Sequence, residues 1–162
     1  MTADQALRGH LLYLLRGGGA HMDLDQAVAD FPEAHFNTRP PNVPYSFWHL
    51  LEHIRLAQWD ILDYIRNPNY VWPHWPDDYW PAPDAQADPV KWAETLRQFH
   101  DDLTALADIV ENPQTDLTAP IAHAPQHTTL REILLVADHT AYHVGEFGIL
   151  RQVMDLWPPN HK

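Results

Sequence analysis

Four long stretches of the chain repeat apolar residues at intervals of three and four, and each ends at residues through which a helix does not continue. Residues 4–16 carry Leu7, Leu11, Leu14 and Leu15 at this spacing and stop at Gly17-Gly18-Gly19. Ser46 is placed to cap a second run, FWHLLEHIRLAQWDILDYI, which ends at Asn67-Pro68. Asp88 followed by Pro89 pairs an N-cap with proline at the first helical position and opens a third run to about Glu111, before Asn112-Pro113. Thr129 with Glu132 three residues on forms a capping-box pattern for a fourth run, which extends to about Leu156 and is stopped by Pro158-Pro159. A shorter helical piece is expected around Leu24 to Phe31, and RPPNVP after it must run extended because proline lacks an amide hydrogen and restricts its predecessor. No segment shows a convincing strand pattern. The fold class that follows is all-α: a four-helix bundle with long connections, read as a single domain over residues 1–162.

Charge and composition narrow the function. The chain has 22 acidic and 10 basic residues, a formal charge of -12, and no cluster of Lys and Arg, so no nucleic-acid partner is expected. Its longest apolar runs, such as Leu11 to Leu15, are too short to span a bilayer, so no membrane partner is expected either. The N-terminus lacks the pattern of a secretory signal and there are no cysteines, which makes a cytoplasmic location the expectation.

Residues 68–88, PNYVWPHWPDDYWPAPDAQAD, have neither helical nor alternating periodicity but are rich in proline and in Trp and Tyr. Irregular segments of this length inside a compact domain are often lids or binding loops. The loop supplies Trp72, His74, Trp75, Tyr79 and Trp80, which either wall a pocket near a functional site or seal apolar surface at a distance from it.

The histidines supply the candidate site. His139 and His143, in DHTAYHVGE, are four apart and therefore one turn apart on one helix face, the spacing that presents two imidazoles to one metal ion. On a helical wheel they group with Val136, Phe147, Leu150 and Met154, at the edge of the apolar arc, while Arg131, Asp138 and Tyr142 fall on the polar side. His53 in the second run sits in the same way beside Leu50, Ala57 and Tyr64, bordering Ile54, Ile61 and Ile65. A lone histidine at such a border is usually a hydrogen-bonded core residue; three from two helices point to a shared ligand. His49 falls further toward the polar side near the helix start and is expected to support the site or to be exposed. His10, His21, His35, His100, His123, His127 and His161 have no partner at ligand spacing and are expected to be structural or exposed. Glu146, three residues after His143, is placed to act as a base, as a partner to a histidine or as a surface charge; Gln58 and Tyr64 are further pocket candidates.

The stretches SFWHLLEHIRLAQWDIL and LLVADHTAYHVGEFGILR, in that order and at that separation, resemble the DinB/YfiT-like superfamily of metal-binding four-helix bundles. The resemblance covers most of the chain. It implies a divalent metal held by His53, His139 and His143, with zinc or nickel the expected ion and iron also compatible with three imidazoles. It further implies a metal-dependent hydrolase or a transferase using a low-molecular-weight thiol on a small-molecule substrate. The alternative is a noncatalytic, stress-associated metal-binding module in which the ion staples two helices. A homodimer is also expected, with Trp59 on the second run as a candidate contact; otherwise Trp59 packs beneath the aromatic loop of its own chain.

Overall fold

The structure, a computed structural model, describes residues 1–159; His161 lies outside the described residues. Five α-helices occur among them: α1 (Ala3–Arg16), α2 (Leu24–Val28), α3 (Phe47–Arg66), α4 (Pro89–Glu111) and α5 (Thr129–Val153). The four long helices form a square in which α3 packs on α4 and α5, and α1 closes the square against the same two. Each begins at a side chain that accepts a hydrogen bond from an amide of the first turn: Thr2, Ser46, Asp88 and Thr128. The last of these corrects the sequence reading by one residue. Thr128 caps α5 through the Arg131 amide, and Glu132 is buried in the helix's first turn rather than reaching back to its start. The helix also ends at Val153, earlier than Leu156.

A second correction concerns strands. Pro120–Ile121 (β1) pairs antiparallel with Ala124–Thr128 (β2), making a short hairpin that leads directly into α5. Two residues against five, one strand opening on a proline, leave too little alternation to read.

The interior is divided along the bundle axis. One apolar cluster gathers Phe31, Phe36, Phe47, Trp48, Ile54, Trp92, Phe99 and Phe147; another gathers Leu11, Leu15, Ile61, Leu62, Leu106, Ile133 and Val136. On α5 the first contributes residues 144 and 147 and the second residues 133 and 136, which leaves the intervening turn, residues 139–143, between the two cores. Histidines are found in that gap.

Arg151 on α5 is fully buried. Its Nη1 donates to the Ala27 carbonyl at 2.8 Å and its Nε to the Leu156 carbonyl at 3.1 Å, while the guanidinium lies over the Phe31 and Trp157 rings. It therefore fastens both α2 and the segment after α5 to the bundle. Arg151→Ala removes a charged hydrogen bond worth about 1.5–3 kcal/mol together with the packing of the side chain, so urea unfolding should show at least that destabilisation. A change below about 0.5 kcal/mol, the ordinary scale of surface substitutions, would contradict this role.

Candidate metal centre

α3 and α5 are adjacent, so the border positions of their apolar faces meet. The ligand-capable nitrogens of His53, His139 and His143 all lie within 4.8 Å of one another. Nε2 of His53 and Nε2 of His139 are 3.2 Å apart, close to the roughly 3.3–3.4 Å that separates two ligands of a tetrahedral ion with zinc–nitrogen bonds near 2.0–2.1 Å.

Two of the imidazoles are fixed by their other nitrogen. His53 Nδ1–H donates to the Tyr79 carbonyl at 2.7 Å, which leaves Nε2 without a proton and turned to the cluster. His143 is bonded through Nδ1 to Glu146 Oε2 at 2.7 Å, and Glu146 accepts a second bond from the Tyr45 hydroxyl at Oε1. A carboxylate or carbonyl behind a ligating histidine sets its tautomer and raises its basicity toward the ion. Burial lowers the basicity of His53; burial, together with neighbouring His143 and His53, lowers His139 to about 3. Both stay neutral near pH 7, the form a metal requires. Burial alone would raise the Glu146 carboxyl, but the bonds from His143 and Tyr45 hold it below its ordinary value, so it remains an anion behind the ligand.

The family profile of the DinB superfamily matches residues 19–147, a span that contains the whole cluster. The chain belongs to the DinB superfamily. No curated protein and no solved structure matches it. The DinB assignment carries the fold and a histidine cluster that could hold a metal; it names no substrate.

Around the cluster of this DinB chain, the other sequence candidates fall into different places. His49 is buried, not exposed: its Nδ1 accepts the Ser46 amide at 3.1 Å while Ser46 Oγ accepts the His49 amide, a capping box with histidine in the usual Glu or Gln position. With that nitrogen committed to the cap, His49 is not part of the cluster. Gln58 does not line the cavity beside the cluster; it is buried and donates to the Phe99 carbonyl at 2.7 Å, tying α3 to α4. His74 is exposed and faces Asp77. Trp80 lies flat on His53, ring centroids 3.9 Å apart and planes 3° from parallel, and packs against Tyr45 on its other side. The aromatic loop thus covers the cluster directly, although the cluster sits midway along α5 rather than near a bundle end.

Beside the cluster a cavity of about 340 Å³ opens, walled by His53, Asp60, Tyr64, Tyr79, His127 and His139 among others. Its α3 residues, from His53 through Ala57 and Ile61 to Tyr64, span three turns, so the cavity is a slot about 16 Å long running down the α3–α5 seam. Trp72 and Trp75 stand at its mouth. At the far end the Tyr64 hydroxyl and His127 Nδ1 are 2.8 Å apart, and buried Glu132 holds Arg131 at 2.6 Å. Sequence reasoning missed Asp60, His127, Arg131 and Glu132. Two of them had a signal: Asp60 is seven residues after His53 and Glu132 seven before His139, hence on the same helix faces two turns away. Arg131, assigned to the polar side, has a side chain long enough to reach the slot.

Glu146→Gln keeps the shape but removes the anion behind His143. Zinc affinity measured by competition with a chromogenic chelator should fall about 10–100-fold; an unchanged affinity would show that Glu146 does not tune the site.

Proposed function

We propose that the protein is a metal-dependent enzyme in which His53, His139 and His143 hold one divalent ion and the slot along α3 and α5 receives a small-molecule substrate, the reaction being hydrolysis or transfer involving a low-molecular-weight thiol. The observation that supports this reading is that His53 and His139 belong at once to the ligand cluster and to the wall of the slot. An ion that only stapled the helices would need no such chamber beside it. Three neutral imidazoles suit zinc or nickel, and iron is also compatible. Such an ion supplies Lewis acidity, polarising a substrate oxygen or sulfur or lowering the pKa of a water or thiol beside it.

The chain's own residues divide the remaining tasks. Glu146 is engaged by both His143 and Tyr45, so it orients a ligand rather than serving as the base. Tyr64 and His127 face the slot and lie outside the ligand cluster, which suits them to exchange a proton with a substrate. Tyr79 and Trp80 hold His53 and exclude water from it. A cytoplasmic setting, where small thiols are kept reduced, fits this chemistry.

Metal analysis of the purified protein should find about one ion per chain, and His139→Ala/His143→Ala should lose it; equal metal content in both would sink the assignment. A fully loaded protein inert toward ester, amide and thiol-acceptor panels would favour the noncatalytic, helix-stapling role instead.

Self-association is part of the proposal. Trp59 is 42% exposed, and the loop rings pack on Tyr64 and His53 instead of over it. α5 also leaves Leu135, at the slot's edge, Tyr142 and Ile149 exposed at intervals of seven, one stripe along the helix. Sedimentation at micromolar concentration should give about twice the 18.7 kDa chain mass; a monomer alone would count against a dimer.

A further inference from the structure

The slot is not lined as a general apolar pocket would be. Two aromatic groups line it. In one, Tyr64 meets Tyr70 edge-on at 4.9 Å and Tyr70 meets Trp72 edge-on at 5.3 Å. In the other, Trp75 packs on Tyr79 at 5.4 Å. Both groups stand on one buried carboxylate: the Tyr70 hydroxyl donates to Asp60 Oδ1 at 2.6 Å and the Tyr79 hydroxyl to Oδ2 at 2.8 Å.

Three facts about this box point to its occupant. Asp60 has no ion-pair partner among the described residues, because Arg131, the Lys or Arg side chain facing the slot, is bonded to Glu132. A buried carboxylate without a cation is an electrostatic deficit that a bound cation relieves. The rings at the mouth are open, Trp72 and Trp75 each being 66% exposed, and the described cation–ring contacts involve other rings. Both Asp60 oxygens already accept a phenol. The phenols take two of the carboxylate's about four acceptor sites, and a quaternary ammonium, which carries no N–H, needs none of the rest and buries methyl groups against ring faces.

We propose that the slot binds a quaternary ammonium group against the Tyr70/Trp72 and Trp75/Tyr79 rings, above Asp60. This deepens the reading of the slot as the substrate chamber and rests on it. Asp60 lies seven residues from His53 on α3, about 10 Å along the helix, so the ligand is an elongated organic cation whose opposite end reaches the histidine cluster. The volume of about 340 Å³ is in the range of small-molecule sites.

The test uses choline and its uncharged isostere 3,3-dimethyl-1-butanol, titrated into the full-length protein by calorimetry and tryptophan fluorescence, as purified and again after chelation, with metal content measured alongside. Choline should bind at least tenfold more tightly than the isostere in both preparations. Asp60→Asn and Trp75→Ala should each weaken choline at least tenfold; Trp75 is exposed, so its loss leaves the fold intact even where Asp60→Asn disturbs it. Equal affinity for the two compounds, no binding of either, or choline affinity undiminished in folded Trp75→Ala would overturn the proposal. Since the chelated protein is tested separately, such a failure leaves the metal assignment standing. Retained choline binding in a His139→Ala/His143→Ala protein that has kept its metal would overturn the metal assignment and not this one.

Discussion

Three imidazoles side by side in a bundle interior are the constraint around which the rest of this protein is arranged. Each brings polar nitrogens into a region that apolar packing would otherwise fill, and an unpartnered buried nitrogen is costly. The chain meets that cost with dedicated partners: the Tyr79 carbonyl for His53, Glu146 for His143, and the His53 ring for His139. It also interrupts its core, so that one apolar cluster lies to each side of the histidines along α5. Affinity for an ion at such a site adds to folding stability, because the ligands converge only when α3 and α5 are packed.

The same histidines couple the irregular segment to the bundle. Few backbone bonds of the loop join it to the helices, and its anchors are side chains: Asn37 exchanges two bonds of 2.8 Å with the backbone of Ala87, Trp80 lies on His53, and Tyr70 and Tyr79 descend to Asp60. Burial raises the Asp60 carboxyl while the two phenols oppose that rise. The loop's position thus depends on polar contacts to α3 at residues 53 and 60, both of which face the slot. A change in either contact alters cover and chamber together.

The bundle was legible because its signals are local and redundant: apolar periodicity with an N-cap or a proline or glycine stop marks each of the four long helices, even where the cap and the end of α5 were misplaced by one and three residues. The histidine cluster was legible for a related reason, since spacing on a helix fixes which side chains share a face. What escaped depends on contacts between segments distant in sequence. Nothing near His127 reveals that the hairpin brings it to Tyr64, 63 residues earlier. His49 reads as polar and peripheral on a wheel, yet the cap geometry at Ser46 uses its ring and the loop buries it. Gln58 reads as a pocket residue, but its direction is set by the Phe99 carbonyl of α4. Arg151 reads as an ordinary last-turn cation, and only the fold shows it threaded between α2 and the C-terminal segment.

Helical geometry also separates the histidine cluster from the rest of the slot. The cluster needs one position on α3 and a pair four apart on α5, and those are satisfied by the span that matches the family. The slot takes the next turns of the same two faces, Asp60 and Tyr64 on α3 and Leu135, Glu132 and Arg131 on α5, and completes its walls from a loop and a hairpin that impose no requirement on the histidines' spacing. Substitutions at those slot positions can therefore reshape the slot while leaving the histidine spacing in place. His53 and His139 are common to the cluster and the slot, and the aromatic loop reaches both, through Tyr79 and Trp80 on His53 and through Tyr70 and Tyr79 on Asp60.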